Sequence, residues 1–210
     1  MGNSLSSFIC HEEEELRPVS FDTDIKTDTY EGEFDIDGKR SGYGKLTFAD
    51  GSYYHGQFKK SLFDGEGKYI SISGVTYDGC WKDGQRCGKG TYASKNGASY
   101  SGDFLDGKFH GYGEYVSASG SRYEGYYEAD KRSGHGKYYS STGATYVGDF
   151  KKGKYDGKGK FVFADGAIYD GDMHNGKFHG FGIWCNDSEE YYGEWRNDQR
   201  FGQGNNLLHT

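Results

Sequence analysis

Glycine pairs are the first candidates for chemistry in this chain, because glycine-rich loops can cradle phosphate groups. The pattern Gly-x-Gly occurs eight times, beginning at residues 42, 65, 88, 111, 134, 157, 180 and 202. None of these pairs leads into the Gly-Lys-Ser or Gly-Lys-Thr sequence of a phosphate-binding loop. Regular repetition indicates a structural use, so we predict no nucleotide site.

Histidines, carboxylates and cysteines could hold a metal or move protons, but their spacing does not favour either use. His110 and His179 recur at one position of a repeat, and the other histidines are scattered. Carboxylates that recur beside a glycine are read as solvated charges. Cys80 and Cys87 are seven residues apart and Cys185 is remote, which matches no metal-ligand spacing and suggests no disulfide framework. We predict no catalytic residue, no metal and no cofactor, and thus not an enzyme.

The start of the chain carries a different kind of chemistry. Met-Gly-Asn-Ser-Leu-Ser fits the acceptor pattern for N-myristoylation, with Gly2 as the acceptor and Ser6 at the favoured position. One myristoyl chain binds a bilayer only weakly, with an association constant of about 10⁴ M⁻¹, so stable attachment needs a second signal. The acidic run from Glu12 to Glu15 excludes a basic patch, and Cys10 is the candidate for palmitoylation. The alternative for Cys10 is an ordinary exposed thiol in the tail.

Composition and charge restrict the fold that presents these residues. The 210 residues include 36 Gly, one Pro and 37 aromatic residues, a pattern expected of a fold that buries rings against glycine backbone. A helical bundle is excluded and a doubly wound α/β domain is disfavoured, because both need long aliphatic segments. The net charge of −7 argues against general nucleic-acid binding. No apolar stretch long enough to span a membrane and no secretory signal are found in the sequence.

A repeat of about 23 residues organises the chain. The unit Tyr-x-Gly begins at residues 30, 54, 77, 100, 123, 146, 169 and 191, and a Gly-x-Gly follows in every unit. The repeat positions alternate with a period of two, which predicts strands, and turn residues separate them, so each unit is predicted to be a β-hairpin. We expect an all-β fold: an elongated, open and twisted single-layer antiparallel sheet of stacked hairpins, with about 16 strands spaced roughly 4.8 Å apart.

This pattern resembles the MORN (membrane occupation and recognition nexus) repeat family. The segment from Tyr100 to Gly113, YSGDFLDGKFHGYG, is a close match, and the resemblance covers residues 30–204 in eight copies. It implies a scaffold or adaptor that sometimes dimerises through terminal repeats and sometimes binds a partner peptide along the sheet. The expected organisation is a flexible acidic tail at 1–29, eight repeats at 30–204 and a short C-terminal tail at 205–210.

Aromatic residues are the candidates for contact with a partner. The ring-bearing face is expected to stay open in part as a groove, lined by Tyr77, Trp81, Tyr92, Tyr100, Phe104, Tyr115, Tyr123 and Tyr146. The last strand needs cover, and we expect two C-terminal ends to pair in a homodimer. The residues expected at that end are Trp184, Tyr191, Trp195 and Phe201.

Together these features predict a non-enzymatic scaffold held on the cytoplasmic face of a membrane, plasma or cortical, by N-terminal acyl chains. Its groove would bind protein partners, cortical or cytoskeletal in kind. An alternative is a module whose repeats bind acidic phospholipid directly. A regulatory subunit of a separate enzyme is a third option, which the sequence does not separate from the scaffold.

Overall fold

The computed structural model describes residues 28–208, and Gly2 and Cys10 therefore lie outside the described part of the chain. These residues form sixteen strands of one open antiparallel sheet, in which the strands follow chain order. The predicted all-β fold of stacked hairpins is confirmed. The strands are β1 (Thr29–Phe34), β2 (Arg40–Thr47), β3 (Tyr53–Lys59), β4 (Leu62–Ile70), β5 (Thr76–Lys82), β6 (Gln85–Ala93), β7 (Ser99–Leu105), β8 (Lys108–Val116), β9 (Arg122–Glu128), β10 (Lys131–Tyr139), β11 (Thr145–Lys151), β12 (Lys154–Val162), β13 (Ile168–His174), β14 (Lys177–Cys185), β15 (Glu189–Arg196) and β16 (Gln199–Leu208).

The strands belong to two compact units. The first contains β1 to β8 and ends at Ala118, and the second contains β9 to β16 and begins at Ser119. Each unit has four hairpins of the same design. The C-terminal boundary differs from the expectation, because β16 continues to Leu208 and pairs Leu207 with Glu190. Four residues assigned to a tail are thus part of the last strand.

Two-residue turns close seven of the eight hairpins. In the third hairpin Asp83 and Gly84 have φ values of 48° and 82°, and the corresponding residues of the other six also have positive φ. Two successive positive φ values define a type I′ turn, whose twist matches that of paired strands. The first hairpin has a longer turn, in which Asp35 accepts hydrogen bonds from the backbone of Asp37 and Lys39.

A bulge interrupts every hairpin at the Gly-x-Gly pair. The register of β5 and β6 shifts between Gly79 and Trp81, and the first glycine of the opposing pair, Gly88, has φ 53°. The first glycine of every other pair also has positive φ. A bulge bends its strand and increases the local twist. The bend brings the rings on one side of the hairpin together.

The second glycine of each pair makes room for the tyrosine that begins the repeat. The Tyr100 ring lies across Gly102 on its own strand and Gly113 on the next, and a Cβ at Gly113 would be 2.4 Å from the tyrosine oxygen. That distance is shorter than real Cβ contacts, so glycine is required here. The core therefore consists of rings packed on backbone. We call this side of the sheet the ring face and the opposite side the outer face.

Candidate functional site

The repeat tyrosines form the centre of the ring face. Each tyrosine hydroxyl donates a hydrogen bond to the backbone carbonyl three residues later, over 2.7–3.0 Å, in all eight repeats. That carbonyl lies at the bulge, where the register shift interrupts the regular strand pairing. Burial raises the pKa of Tyr54, Tyr77, Tyr146 and Tyr169, so these hydroxyls stay protonated. The tyrosine hydroxyls therefore serve as hydrogen-bond donors to the bulge carbonyls.

A second position of the ring face holds either an aromatic ring or an arginine. Phe63 and Phe109 stack on the tyrosines of repeats two and four, with centroids 3.7 and 3.8 Å apart. The same position in repeats three and five is Arg86 and Arg132, whose guanidinium carbons lie 5.8 and 5.6 Å from the ring centroids of the repeat tyrosines. Tyr155 and Phe178 continue the aromatic set and Arg40 and Arg200 the arginine set. The 23-residue spacing alone did not show this pattern.

The arginines connect one hairpin to the next. Arg86 donates a hydrogen bond to the carbonyl of Gly107 in the following turn, and Arg132 donates to Gly153 over 2.8 Å. In the opposite direction, the N–H of Gly107 donates to the carbonyl of Arg86 over 3.0 Å. Arg86 and Arg132 thus each tie the next turn to their own strand.

The residues predicted to line an open groove lie mainly inside this packing. Tyr77 and Tyr146 are 0% exposed and Trp81 is 5% exposed, and only Tyr115 is half-buried. Tyr92, Tyr100, Phe104 and Tyr123 are also buried. Neighbouring rings cover them: Phe104 of the next hairpin covers Tyr77 at 4.9 Å between centroids, and Phe150 of the same repeat covers Tyr146 at 5.2 Å. Seven of the eight rings have almost no surface for a partner, and a partner segment along this face stays a prediction.

The predicted C-terminal contact residues are only partly accessible. Tyr191 and Trp195 are buried, and Trp184 is half-buried beneath the Arg200 guanidinium, 5.1 Å from its ring centroid. Phe201 is 43% exposed. Hydrogen bonds from Arg200 lower the pKa of the Glu189 carboxyl, so this pair stays charged at neutral pH. Of the four predicted contact residues Phe201 is the most accessible, and Leu207 of β16 is 61% exposed.

Carboxylates on the outer face support the bulges. Asp103 accepts a hydrogen bond from the backbone N–H of Tyr112 over 3.0 Å, and Asp172 accepts one from Phe181 over 3.1 Å. Asp149 does the same for Lys158. The sequence interpretation of these acids as solvated charges missed this role, although their recurrence four residues into the repeat was the available signal. Each of these aspartates accepts a hydrogen bond from the residue that follows the positive-φ glycine, and so caps the bulge.

Salt bridges run between neighbouring strands on the outer face. Lys89 contacts Asp103 at 2.7 Å, Lys158 contacts Asp172 at 2.6 Å, and Lys68 contacts Asp78 at 3.4 Å. All of these lysines are exposed, so each pair contributes little to stability. The outer face is therefore hydrated and mixed in charge.

Large apolar side chains are also exposed on the outer face. Tyr43, Tyr126 and Phe181 are 52%, 52% and 55% exposed, and each lies next to a ring-face residue and so points to the outer face. In the last two repeats Ile183 pairs with Tyr192 across β14 and β15, and both are exposed. Only ring-face positions recur in the repeat pattern, so the sequence did not indicate these outer-face residues.

Within 28–208 no three His, Cys, Asp or Glu side chains are grouped so that they could hold a metal ion. The same residues contain no helix with the length and hydropathy of a membrane span.

Comparison with solved structures gives distant likenesses. The TCP domain of Drosophila melanogaster SAS-4 (dCPAP), solved in complex with a proline-rich motif of Ana2 (dSTIL), is 13% identical, with 86% of this chain and 90% of that chain covered at a TM-score of 0.38. The wild-type TCP10 domain of Danio rerio CPAP is also 13% identical, with 77% and 87% covered at a TM-score of 0.30. Neither likeness is close enough to carry an argument about this chain.

Comparison with family models gives a match to the MORN repeat over nearly the whole described sheet. The matched residues are 30–53, 54–76, 77–99, 100–122, 123–145, 146–168, 169–187 and 191–205. Every matched segment begins at the tyrosine whose hydroxyl holds a bulge. A repeat fold of this kind suggests a non-enzymatic protein. The chain belongs to the MORN repeat family.

Proposed function

We propose that this protein is a membrane-tethered scaffold whose repeat sheet binds protein partners through its outer face. One observation carries the proposal: the ring face is filled by its own side chains, whereas the outer face exposes Tyr43, Tyr126, Phe181 and Tyr192 to about half of their surface. Tyrosine and phenylalanine are enriched where proteins meet, because they add contact area at low entropic cost. Charged pairs around these rings would provide orientation more than affinity.

Substitution on the outer face tests the binding surface. The double variant Phe181→Ser and Tyr192→Ser removes two exposed rings without touching the ring face. Proximity labelling in cells should show a defined set of neighbours for the wild type, and the variant should lose part of that set. The control is Lys160→Ser, which removes an exposed side chain of β12. An unchanged set in the double variant would place the partner surface elsewhere.

Attachment to the membrane is assigned to the N-terminal segment, with Gly2 myristoylated and Cys10 palmitoylated. The sequence pattern at Gly2 and the cysteine eight residues later support this part of the proposal. Two acyl chains are needed because one gives only reversible binding. The site of attachment is then the cytoplasmic face of a plasma or cortical membrane.

The distribution of wild type, Gly2→Ala and Cys10→Ala in cells tests the tether, with a clickable myristate as the chemical control. The expected result is membrane-bound wild type, soluble and unlabelled Gly2→Ala, and intermediate Cys10→Ala. If all three remain on the membrane, the repeats or a partner make the attachment. Direct recognition of acidic phospholipid by the repeats would then replace the tether.

Self-association through β16 is a further part of the proposal. This strand has ten residues and leaves one edge of its backbone unpaired within the described sheet, a geometry that favours addition of another strand. Pairing of two such edges about a two-fold axis would bring both Phe201 side chains near the junction. Light scattering at micromolar protein should give the mass of a dimer. A monomer mass at that concentration would refute this part and leave the scaffold intact.

A further inference from the structure

Two cysteines of the third hairpin occupy facing positions. Cys80 follows Gly79 in β5, and Cys87 is the third residue of β6. Gly79 pairs with Gly90, and Trp81 pairs with Arg86. Both cysteines lie between these two pairs, so Cys80 faces the bulge that contains Cys87. Spacing along the sequence did not indicate this proximity, because it depends on the register of the hairpin.

An equivalent hairpin shows how close these positions are. In the fourth repeat the corresponding residues, Asp103 and His110, are direct cross-strand partners. Facing residues in antiparallel strands have Cα atoms about 4.5–5.5 Å apart, and disulfides span Cα separations of about 4.4–6.8 Å. These two ranges overlap, so the register of the hairpin is compatible with a disulfide between the two positions.

The Cys80 side chain also lies beside the backbone that carries Cys87. A Cβ on Gly88, the residue after Cys87, would be 3.5 Å from the Cys80 Cβ and 3.7 Å from the Cys80 sulfur. Both cysteines are half-buried on the outer face, where a small reagent can reach them. Cys185 is also a free cysteine, and it lies in β14 of the other compact unit.

We propose that Cys80 and Cys87 form a dithiol modification site, which low-molecular-weight disulfides of the glutathione type oxidise reversibly to an intramolecular disulfide. The Cys80 thiolate attacks one sulfur of the oxidant and releases one thiolate, leaving a mixed disulfide. The Cys87 thiolate then attacks the Cys80 sulfur and releases the second thiolate. Two electrons pass to the oxidant, and the two thiol protons are taken up by the released thiolates.

The order of attack follows from the environment of the two sulfurs. Burial and the neighbouring Cys80 thiol raise the pKa of Cys87 to about 12. Cys87 is therefore rarely a thiolate at neutral pH and serves as the second, intramolecular attacker, where proximity offsets its low thiolate fraction.

The bond would have a local structural consequence. In the fourth and seventh repeats an aspartate at the position of Cys80 caps the bulge N–H, and Cys80 has no carboxylate for this purpose. A disulfide would fix the same bulge covalently. Oxidation would thus stiffen the outer face of one hairpin.

Peptide mapping of the full-length native protein tests the proposal. The protein is treated with oxidised glutathione, blocked with an alkylating reagent and digested with trypsin, which cuts after Lys82 and Arg86. The two cysteines then lie on separate peptides, residues 69–82 and 87–89, which only a disulfide can hold together. The expected product is this linked pair, which dithiothreitol separates.

Three controls distinguish the site from general thiol oxidation. Cys185→Ser should form the same link, and Cys87→Ser should instead keep glutathione attached to Cys80. Unfolding in urea should reduce the preference for this pair at equal oxidant. Glutathione on both cysteines without a link, a link to another cysteine, or cross-linked chains on a non-reducing gel would each overturn the proposal.

Discussion

The repeat tyrosine is the residue on which each hairpin depends. Its ring lies on two glycines, its hydroxyl donates a hydrogen bond to the bulge carbonyl, and its ring contacts other aromatic rings. Tyr54 shows all three: it lies over Gly67, donates to the Gln57 carbonyl at 2.9 Å, and stacks on Phe63. Because these contacts involve both strands, the family pattern Tyr-x-Gly describes a tertiary arrangement as well as a strand.

Tyr54→Phe isolates the hydroxyl. The ring contacts remain, but the carbonyl of Gln57 loses its donor, and we expect a loss of about 0.5–1.5 kcal/mol in the free energy of unfolding. Urea denaturation followed by circular dichroism measures it. Tyr192→Phe, at an exposed position of the outer face, is the matched control and should change stability by less than about 0.5 kcal/mol. Equal stability of wild type and Tyr54→Phe would show that the hydroxyl bond is dispensable.

At the scale of the element, hairpins join through contacts that differ from one junction to the next. Tyr77 is covered by Phe104 of the following repeat and by the Arg86 guanidinium of its own, whereas Tyr54 has Trp81 and the Phe63 ring. The arginine adds a hydrogen bond to the next turn, which a phenylalanine at this position lacks. The stability of the array should therefore depend on two kinds of contact between neighbouring hairpins, one with an arginine and one with a second aromatic ring.

Arg86→Met tests the arginine junction. Methionine keeps an apolar stem over the rings but removes the cation and the hydrogen bond to Gly107, so we expect a loss of about 1.5–3 kcal/mol. The unfolding free energy from urea titration is the measurement. Lys95→Met, in an exposed loop, serves as the control. A loss no larger than that of Lys95→Met would mean that the arginine contributes through its stem alone.

The turn of the fifth hairpin is open to stabilisation. Ala129 has φ 46°, a left-handed conformation that costs a residue with a Cβ about 1–2 kcal/mol. Ala129→Gly should therefore raise the midpoint of thermal unfolding, despite the greater freedom of glycine in the unfolded chain. Ala164→Gly, in an exposed loop without positive φ, should lower it or leave it unchanged. If both variants changed the midpoint in the same direction, relief of the positive φ at residue 129 would not be the cause.

At the scale of the molecule, a sheet with a filled ring face and a hydrated outer face has a core made almost entirely of aromatic side chains. Such a core is sensitive to tyrosine ionisation. Burial raises the pKa of Tyr54, Tyr77, Tyr146, Tyr155 and Tyr169 above the ordinary 10.0. The folded state therefore holds these protons more tightly than the unfolded state.

Alkaline pH should unfold the protein cooperatively. The stabilisation linked to the tyrosine protons is fully present below pH 10.0, the unfolded pKa, and is lost as the pH rises beyond it toward the raised folded values. Tyrosinate absorbance and circular dichroism recorded in parallel should change together above that pH. Gradual ionisation of all tyrosines with the fold intact would contradict the linkage.

The sequence alone determined the hairpins, their number and the ring face, because tyrosines, glycines and turn residues recur at fixed spacing and a period of two permits only strands. It also supplied Gly2 and Cys10 as lipid acceptors, which remain predictions. Only the tertiary structure decided which rings are accessible, since Tyr77 or Trp81 is buried by a residue of another repeat and no local pattern states that contact. The same holds for the arginine over Tyr77, for the aspartates that cap bulges, and for the proximity of Cys80 to Cys87. Each depends on the one-residue shift at the bulge, which sets which side chains face each other across two strands.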